Sequence, residues 1–198
     1  MAASGMTGII LAGGQSRRMG QPKALMPWGR GSLIDAVIAA LGPIVDELLI
    51  VAKDHGPFVD RGVRVVTDLM AEGHPWVGLY TGLRSATYDV SFVCACDMPW
   101  LNPALIRYLR DVRDDFEAVV PQGPKGLEPF HAVYTRRCIP ALERSWQLGH
   151  RTFHDLLRAL RLRIVTPQEL HNIQGWERSL TNLNTPGDAG KGAYGQLG

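Results

Sequence analysis

No apolar run in this 198-residue chain approaches the about 20 residues that a membrane-crossing helix needs, so a membrane-spanning role is not expected. Cysteine is scarce. Cys94, Cys96 and Cys138 are odd in number and lack metal-ligand spacing, which excludes a disulfide framework or a zinc site built on them. Cys94 and Cys96 fall in one strand-like run and would face the same side, as buried free thiols do. Charge of one sign is also lacking: a formal net charge of +2 is too small to imply a nucleic-acid partner. The opening Met1-Ala-Ala-Ser-Gly-Met6 has neither the basic start nor the long apolar segment of a secretory signal, so the expected compartment is the cytoplasm. What remains is an ordinary globular composition, 45% apolar and 20% charged. The length suits one well-buried core, read here as a single domain over 1–198 with its core at about 7–188 and flexible ends at 1–6 and 191–198.

Short runs rich in Val and Ile alternate with stretches of helical period, the pattern of a three-layer α/β domain around a mostly parallel sheet. Strands are predicted at 7–12, 47–52, 63–67, 90–96, around Val119-Val120 and at 162–166. Helices are predicted near 77–87 and 103–114. Leu33, Ile34, Val37, Ile38 and Leu41 recur at helical spacing behind Ser32, a good N-cap. Phe153, Leu156, Leu157 and Leu160 do the same further on. Between them, Gln122-Gly-Pro-Lys-Gly126 carries turn chemistry before a second apolar run, Phe130 to Tyr134, which predicts an antiparallel hairpin.

The densest signal is Leu11-Ala-Gly-Gly-Gln-Ser-Arg-Arg-Met-Gly20, closing with Lys23. It follows the first strand and gathers glycines and cations into one loop. Gly13, Gly14 and Gly20 allow positive φ and close backbone approach, so that successive N–H groups can converge on phosphate oxygens, while Arg17, Arg18 and Lys23 supply positive charge. The spacing is neither that of a Walker loop nor G-x-G-x-x-G. Pro22 opposes immediate entry into a long helix.

Two carboxylates end strands. Ser91-Phe-Val-Cys-Ala-Cys-Asp97 is a buried-strand pattern terminated by an acid and then Pro99, which puts Asp97 beyond the carboxyl end of a strand, on the rim where parallel sheets bind ligands. Mg²⁺ takes one or two carboxylates and completes its shell with water and substrate phosphates, so Asp97 alone suffices as a metal ligand. The bland alternative, that Asp97 caps the next helix, is weakened by Asn102, a better-placed cap. Asp68 likewise ends a strand and is expected to hold base or ribose, although an isolated Asp there is also a good turn former. Leu180-Thr-Asn182-Leu-Asn184-Thr-Pro186 is rich in side-chain amides and, read alone, is an Asx-turn loop.

The loop string is similar, nearly residue for residue, to the L-A-G-G-x-S-x-R-M-G-x-x-K signature of the MobA-like nucleotidyltransferases. These include the molybdenum cofactor guanylyltransferases, the branch this chain resembles most, and the match runs from Gly8 through Pro186. The resemblance implies a three-layer α/β/α Rossmann-like nucleotidyltransferase (GT-A-like) fold with a mostly parallel mixed sheet. It implies nucleotide binding by Leu11, Ala12, Gly13, Gly14, Lys23, Asp68 and Asp97, catalysis by Lys23, Arg17 and Asp97, and Mg²⁺ on Asp97. The family's N-x-N-T-P motif stands here as Asn182 to Pro186, so Asn182 and Asn184 are expected on the acceptor side, joined by His131 from Glu128-Pro-Phe-His-Ala-Val-Tyr134. The implied substrates are GTP and Mo-molybdopterin, and the implied protein partners act in molybdenum insertion and molybdoenzyme maturation. This chain departs from the family at Gly73-His-Pro-Trp-Val-Gly78, where many members read G-P-L-A-G-L. His74 and Trp76 thereby become candidates for contact with base or pterin. Some guanylyltransferases also carry an Asn where this chain offers Val51 or Lys53.

The implied reaction transfers GMP to an acceptor phosphate. Such an oxygen is already anionic near neutral pH and needs no general base, in keeping with the absence of a Ser-His pair. CMP transfer or a sugar-phosphate acceptor would use the same fold. Gly13-Gly14 favours guanylyl transfer, because cytidylyl relatives usually read L-A-A-G. A non-catalytic nucleotide sensor is the alternative from another class, and it has no need of Lys23 or Asp97.

Overall fold

The computed structural model describes residues 5–13, 22–68, 76–149 and 152–183. Strand β1 (Met6–Leu11) leads to a 3-10 turn at Lys23–Leu25, then to a two-strand ribbon, β2 (Pro27–Trp28) and β3 (Gly31–Ser32). Helix α1 (Leu33–Leu41) follows, then β4 (Glu47–Ala52), β5 (Arg64–Thr67), α2 (Val77–Ser85), β6 (Val90–Ala95) and α3 (Pro103–Asp111). The second half carries β7 (Ala118–Gly123), β8 (Gly126–Leu127), β9 (His131–Thr135), α4 (Ile139–Gln147), α5 (Phe153–Arg158), β10 (Leu162–Val165), α6 (Pro167–Leu170) and α7 (Trp176–Ser179).

The main sheet runs β10-β7-β9-β6-β1-β4-β5, with β8 paired to β7. Strands β6, β1, β4 and β5 are mutually parallel, whereas β9 is antiparallel to both β6 and β7. The predicted hairpin is therefore real, and its return strand is inserted beside β6 in the middle of the sheet. Successive β1 residues feed opposite faces. Ile10 joins a core with Ile34 and Val37 of α1 and Leu105 and Leu109 of α3. Ile9 joins a second core with Leu79 and Leu83 of α2, Leu142 of α4 and Leu156 of α5. This is the three-layer α/β/α arrangement. Both isoleucines are fully buried, each worth about 1.5–3 kcal/mol of transfer free energy. Helix α2 lies directly on β1, since a Cβ at Gly82 would come within 2.6 Å of the Ile9 side chain.

Capping explains where the helices begin. The Ser32 and Asp35 side chains form a capping box at α1, and Asp35 also accepts a hydrogen bond from Arg61 Nε at 2.9 Å. Asn102 caps α3 by accepting from the Ala104 and Leu105 amides at 2.8 and 3.4 Å, with Pro103 in the first turn. The cap assigned to Asn102 from sequence thus frees Asp97 for other work.

Candidate active site

Because β6, β1, β4 and β5 run the same way, their carboxyl ends open on one edge. The chain passes from β1 to β4 and β5 on one side and then crosses to β6 on the other. The crevice between β1 and β6 is therefore the switch point at which such sheets bind ligands. Backbone hydrogen bonds hold the residues just past those ends in register. The Ala12 amide donates to Val51 O at 2.8 Å, Cys96 N to Leu11 O at 3.1 Å, and Asp68 N to Ala52 O at 3.2 Å.

Lys23, on its short turn, reaches across this crevice. Its Nζ lies 2.6 Å from Asp97 Oδ2, with the two side chains 20% and 13% exposed, so residues 74 positions apart meet in a nearly dry ion pair. The other carboxylate oxygen, Asp97 Oδ1, is buried and has no hydrogen-bond partner among the described residues. An orphaned anionic oxygen is costly unless a cation or donor meets it, and a hard divalent cation suits it. No cluster of three or more acidic, His or Cys side chains able to hold a metal occurs among the described residues. The Asp97 carbonyl in turn accepts from Leu183 N at 2.9 Å, which ties the amide-rich segment, with exposed Asn182, to the Asp97 backbone.

Asp68 forms the second corner. An ideal Cβ at Gly13 would sit 3.2 Å from Asp68 Oδ2 and 4.0 Å from Lys53 Cγ. Gly13 is not among the positive-φ residues, so the left-handed backbone expected for it is not found; a Cβ there would instead crowd the Asp68 carboxylate, which would have to give by a few tenths of an ångström. Burial pushes the Asp68 carboxyl above its ordinary range, and the Lys53 charge opposes that rise. Its Oδ1 is buried without a partner among the described residues. From sequence, Lys53 is one of two residues, with Val51, that this chain offers where some guanylyltransferases carry an Asn. Its closeness to Gly13 and Asp68 makes it part of the rim.

Other expected residues lie elsewhere. His131 does not reach the rim: it is fully buried in β9, paired with Cys94 across the sheet and with the Phe92 ring edge-to-face at 5.0 Å. Every residue of β9 is buried, His131 included, and burial holds its imidazole down at about 3, so it stays neutral. Ser179 Oγ accepts from Asn102 N at 2.9 Å and lies 3.4 Å from His131 Nε2, so its hydroxyl proton is left to face that nitrogen. His131 therefore braces α7 from behind. Trp76 is likewise no base contact, being 1% exposed and packed edge-to-face on Trp146 at 5.7 Å. Cys94, Cys96 and Cys138 are buried free thiols, as expected, and burial beside the Asp97 charge pushes Cys96 up to about 12. Gly14, Arg17, Arg18, Gly20, His74 and Asn184 lie outside the described residues.

Sequence reading missed a cluster next to Asp97. Trp28 of β2 and Trp100 pack on Met26, Leu33 and Leu183, with the two indoles edge-to-face at 5.3 Å. The Arg178 guanidinium lies over the Trp100 ring at 4.9 Å. The only available signal was the presence of two Trp residues and an Arg near motif positions, and nothing in their spacing joins them.

Residues 8–164 match the model of the MobA-like NTP transferase domain. The chain belongs to this family. Among MobA-like relatives, a probable molybdenum cofactor guanylyltransferase of Pelotomaculum thermopropionicum is 37% identical over 182 residues, spanning 92% of this chain and 89% of that protein. A molybdenum cofactor guanylyltransferase of Desulfosudis oleivorans is 34% identical, spanning 91% of this chain and 90% of that protein. Molybdopterin-guanine dinucleotide biosynthesis protein A from Archaeoglobus fulgidus superposes with a TM-score of 0.80 at 24% identity, over 93% of this chain and 95% of that one, a likeness of fold. No helix among the described residues is long and apolar enough to cross a membrane.

Proposed function

We propose that this MobA-like protein is a molybdenum cofactor guanylyltransferase, moving GMP from GTP to the terminal phosphate of Mo-molybdopterin. The observation that carries the reading is the Lys23–Asp97 pair at the carboxyl ends of β1 and β6, with the Asn182 segment hydrogen-bonded to the same aspartate. The names of relatives at 34% and 37% identity support the donor and acceptor.

In the proposed reaction, an anionic oxygen of the acceptor phosphate forms a bond to the α-phosphorus of GTP. The bond from that phosphorus to the bridging oxygen of the β-phosphate breaks, and pyrophosphate leaves with the electron pair. The nucleophile is already deprotonated, so the protein's work is alignment and relief of repulsion between anions. Lys23, poised over the crevice, meets charge on the α-phosphate and the leaving group, with Arg17 proposed to assist. Asp97 Oδ1 would hold a divalent cation, Mg²⁺ on this reading, which supplies charge neutralisation to the phosphates. Asp68, Gly13 and the end of β1 take the nucleoside, where an ionised carboxylate accepts hydrogen bonds from hydroxyl or ring N–H donors. Asn182 and Asn184 are proposed to bind the acceptor. Both substrates are small soluble molecules, and the reading places the enzyme in the cytoplasm, handing its product to molybdoenzyme-maturation proteins.

The test is a nucleotide panel with purified Mo-molybdopterin and pyrophosphate detection. GTP should exceed CTP and ATP by at least about tenfold in kcat/KM, because a wrong base leaves a buried polar group unpaired. Equal use of CTP would overturn guanylyl specificity, and no pyrophosphate from any nucleotide would return the chain to the sensor reading.

A further inference from the structure

The Lys23–Asp97 ion pair has a consequence for charge. One lysine is already matched to one carboxylate, so this pair brings no surplus positive charge to a phosphate dianion arriving from the acceptor side. Another cation, Arg178, stands in the segment that leads to Leu183, whose amide donates to the Asp97 carbonyl. Arg178 on α7 is exposed, makes no ion pair among the described residues, and has its guanidinium carbon over the Trp100 ring, 4.9 Å from the centroid. Trp100 stands three residues beyond Asp97, and Trp28 meets its ring edge-to-face at 5.3 Å. Both indoles pack against the cluster of Met26, Leu33 and Leu183, and the Leu183 amide donates to the Asp97 carbonyl. The cluster is therefore tied to the Asp97 backbone through Leu183.

We propose that Arg178, oriented by Trp100 and Trp28, anchors the phosphate monoester of the acceptor and sets preference for an anionic acceptor at this site. This rests on the guanylyltransferase reading for the identity of the acceptor. Stacking on an indole occupies the face of a guanidinium and leaves its N–H edge free, the edge that pairs two-pronged with phosphate. The aromatic brace restricts the rotamers of a long side chain before the ligand arrives, which reduces the entropy lost on binding. Lysine in the same place would keep the charge but lose both the stack and the fork.

The experiment measures pyrophosphate release with GTP and Mo-molybdopterin varied separately, for wild type, Arg178→Gln, Arg178→Lys, Trp100→Phe and Trp100→Leu. Arg178→Gln should raise KM for Mo-molybdopterin about tenfold or more, with KM for GTP within about twofold. Arg178→Lys should recover part of the loss. Trp100→Phe keeps a ring beneath the guanidinium and should stay close to wild type, whereas Trp100→Leu should follow Arg178→Gln at smaller size. Arg178 is exposed, so its variants should melt with wild type, and equal Tm excludes a folding defect as the cause. An unchanged acceptor KM in Arg178→Gln, or equal rises for both substrates, overturns the proposal while leaving the guanylyltransferase reading intact. A wild type that releases no pyrophosphate overturns the reading, and the proposal with it.

Discussion

Asp97 and Asp68 end strands on the same edge of one sheet, yet their electrical settings are opposite. Asp97 has one oxygen against Lys23 at 2.6 Å and its carbonyl held by Leu183, a member of the cluster on which Trp28 and Trp100 pack. Asp68 makes no salt bridge among the described residues, is pushed by burial towards the neutral form, and has Lys53 only as a nearby charge. The first corner is charge-compensated and braced before any ligand arrives. The second is left under-satisfied. That division suits a transferase, where the reacting phosphates need a preorganised field and the nucleoside needs a site whose hydrogen bonds are completed only on binding.

The largest expected effect comes from erasing the first corner. Asp97→Ala should lower kcat by about a thousandfold or more in pyrophosphate release while far-ultraviolet circular dichroism stays native, because the packing of β6 lies in Phe92, Val93 and Cys94. Full activity in this variant at saturating magnesium would remove Asp97 from the mechanism. Lys23→Ala should follow, with kcat down about a hundredfold and GTP affinity less changed, since its charge is needed most as the leaving group departs. A rise in KM for GTP alone would make Lys23 an ordinary binding residue and blur the two corners.

Asp68→Asn probes the other side, with calorimetric binding and thermal melting as the measurements. GTP binding should weaken about tenfold with little change in kcat, and Tm should rise, because the neutral amide is not penalised for sitting half-buried without a counter-ion. Lower Tm together with lower kcat would mean that Asp68 is built like Asp97.

The smallest effect concerns the brace behind α7. His131 titrates at about 6.5 when unfolded and at about 3 in the fold, so its folded pKa is depressed. Between those values the unfolded chain takes a proton that the folded chain refuses, and stability falls as pH drops below about 6.5. At pH 5 this amounts to about 2 kcal/mol. His131→Phe should remove that slope from urea titrations at pH 7 and pH 5, and an unchanged slope would show that His131 gains a proton inside the fold.

How far the sequence could be read follows the same physics. The strand ends were legible because an apolar run broken by an acid, as at Val93-Cys-Ala-Cys-Asp97, leaves that acid few places except a rim. Observed strands differ from expectation by a residue or two, as at Met6–Leu11 against 7–12, since fraying ends carry little hydrophobic signal. Helix α7 and the β2–β3 ribbon span only four and two residues apiece, too short for any period to show. His131 is buried because β9 is inserted between β6 and β7 with every residue covered, and a family segment gives neighbourhood but not burial. Trp28, Trp100 and Arg178 meet only through the fold, at separations no local pattern spans.

The three sealed thiols offer a clock on opening of the molecule. Cys94 and Cys96 belong to the layer under α1 and α3, and Cys138 to the layer under α2, α4 and α5. All are buried, so alkylating reagents reach them only when the covering layer lifts. Labelling rates at each position, followed with and without nucleotide, would report which slab of helices detaches first and whether filling the crevice fastens one slab or both.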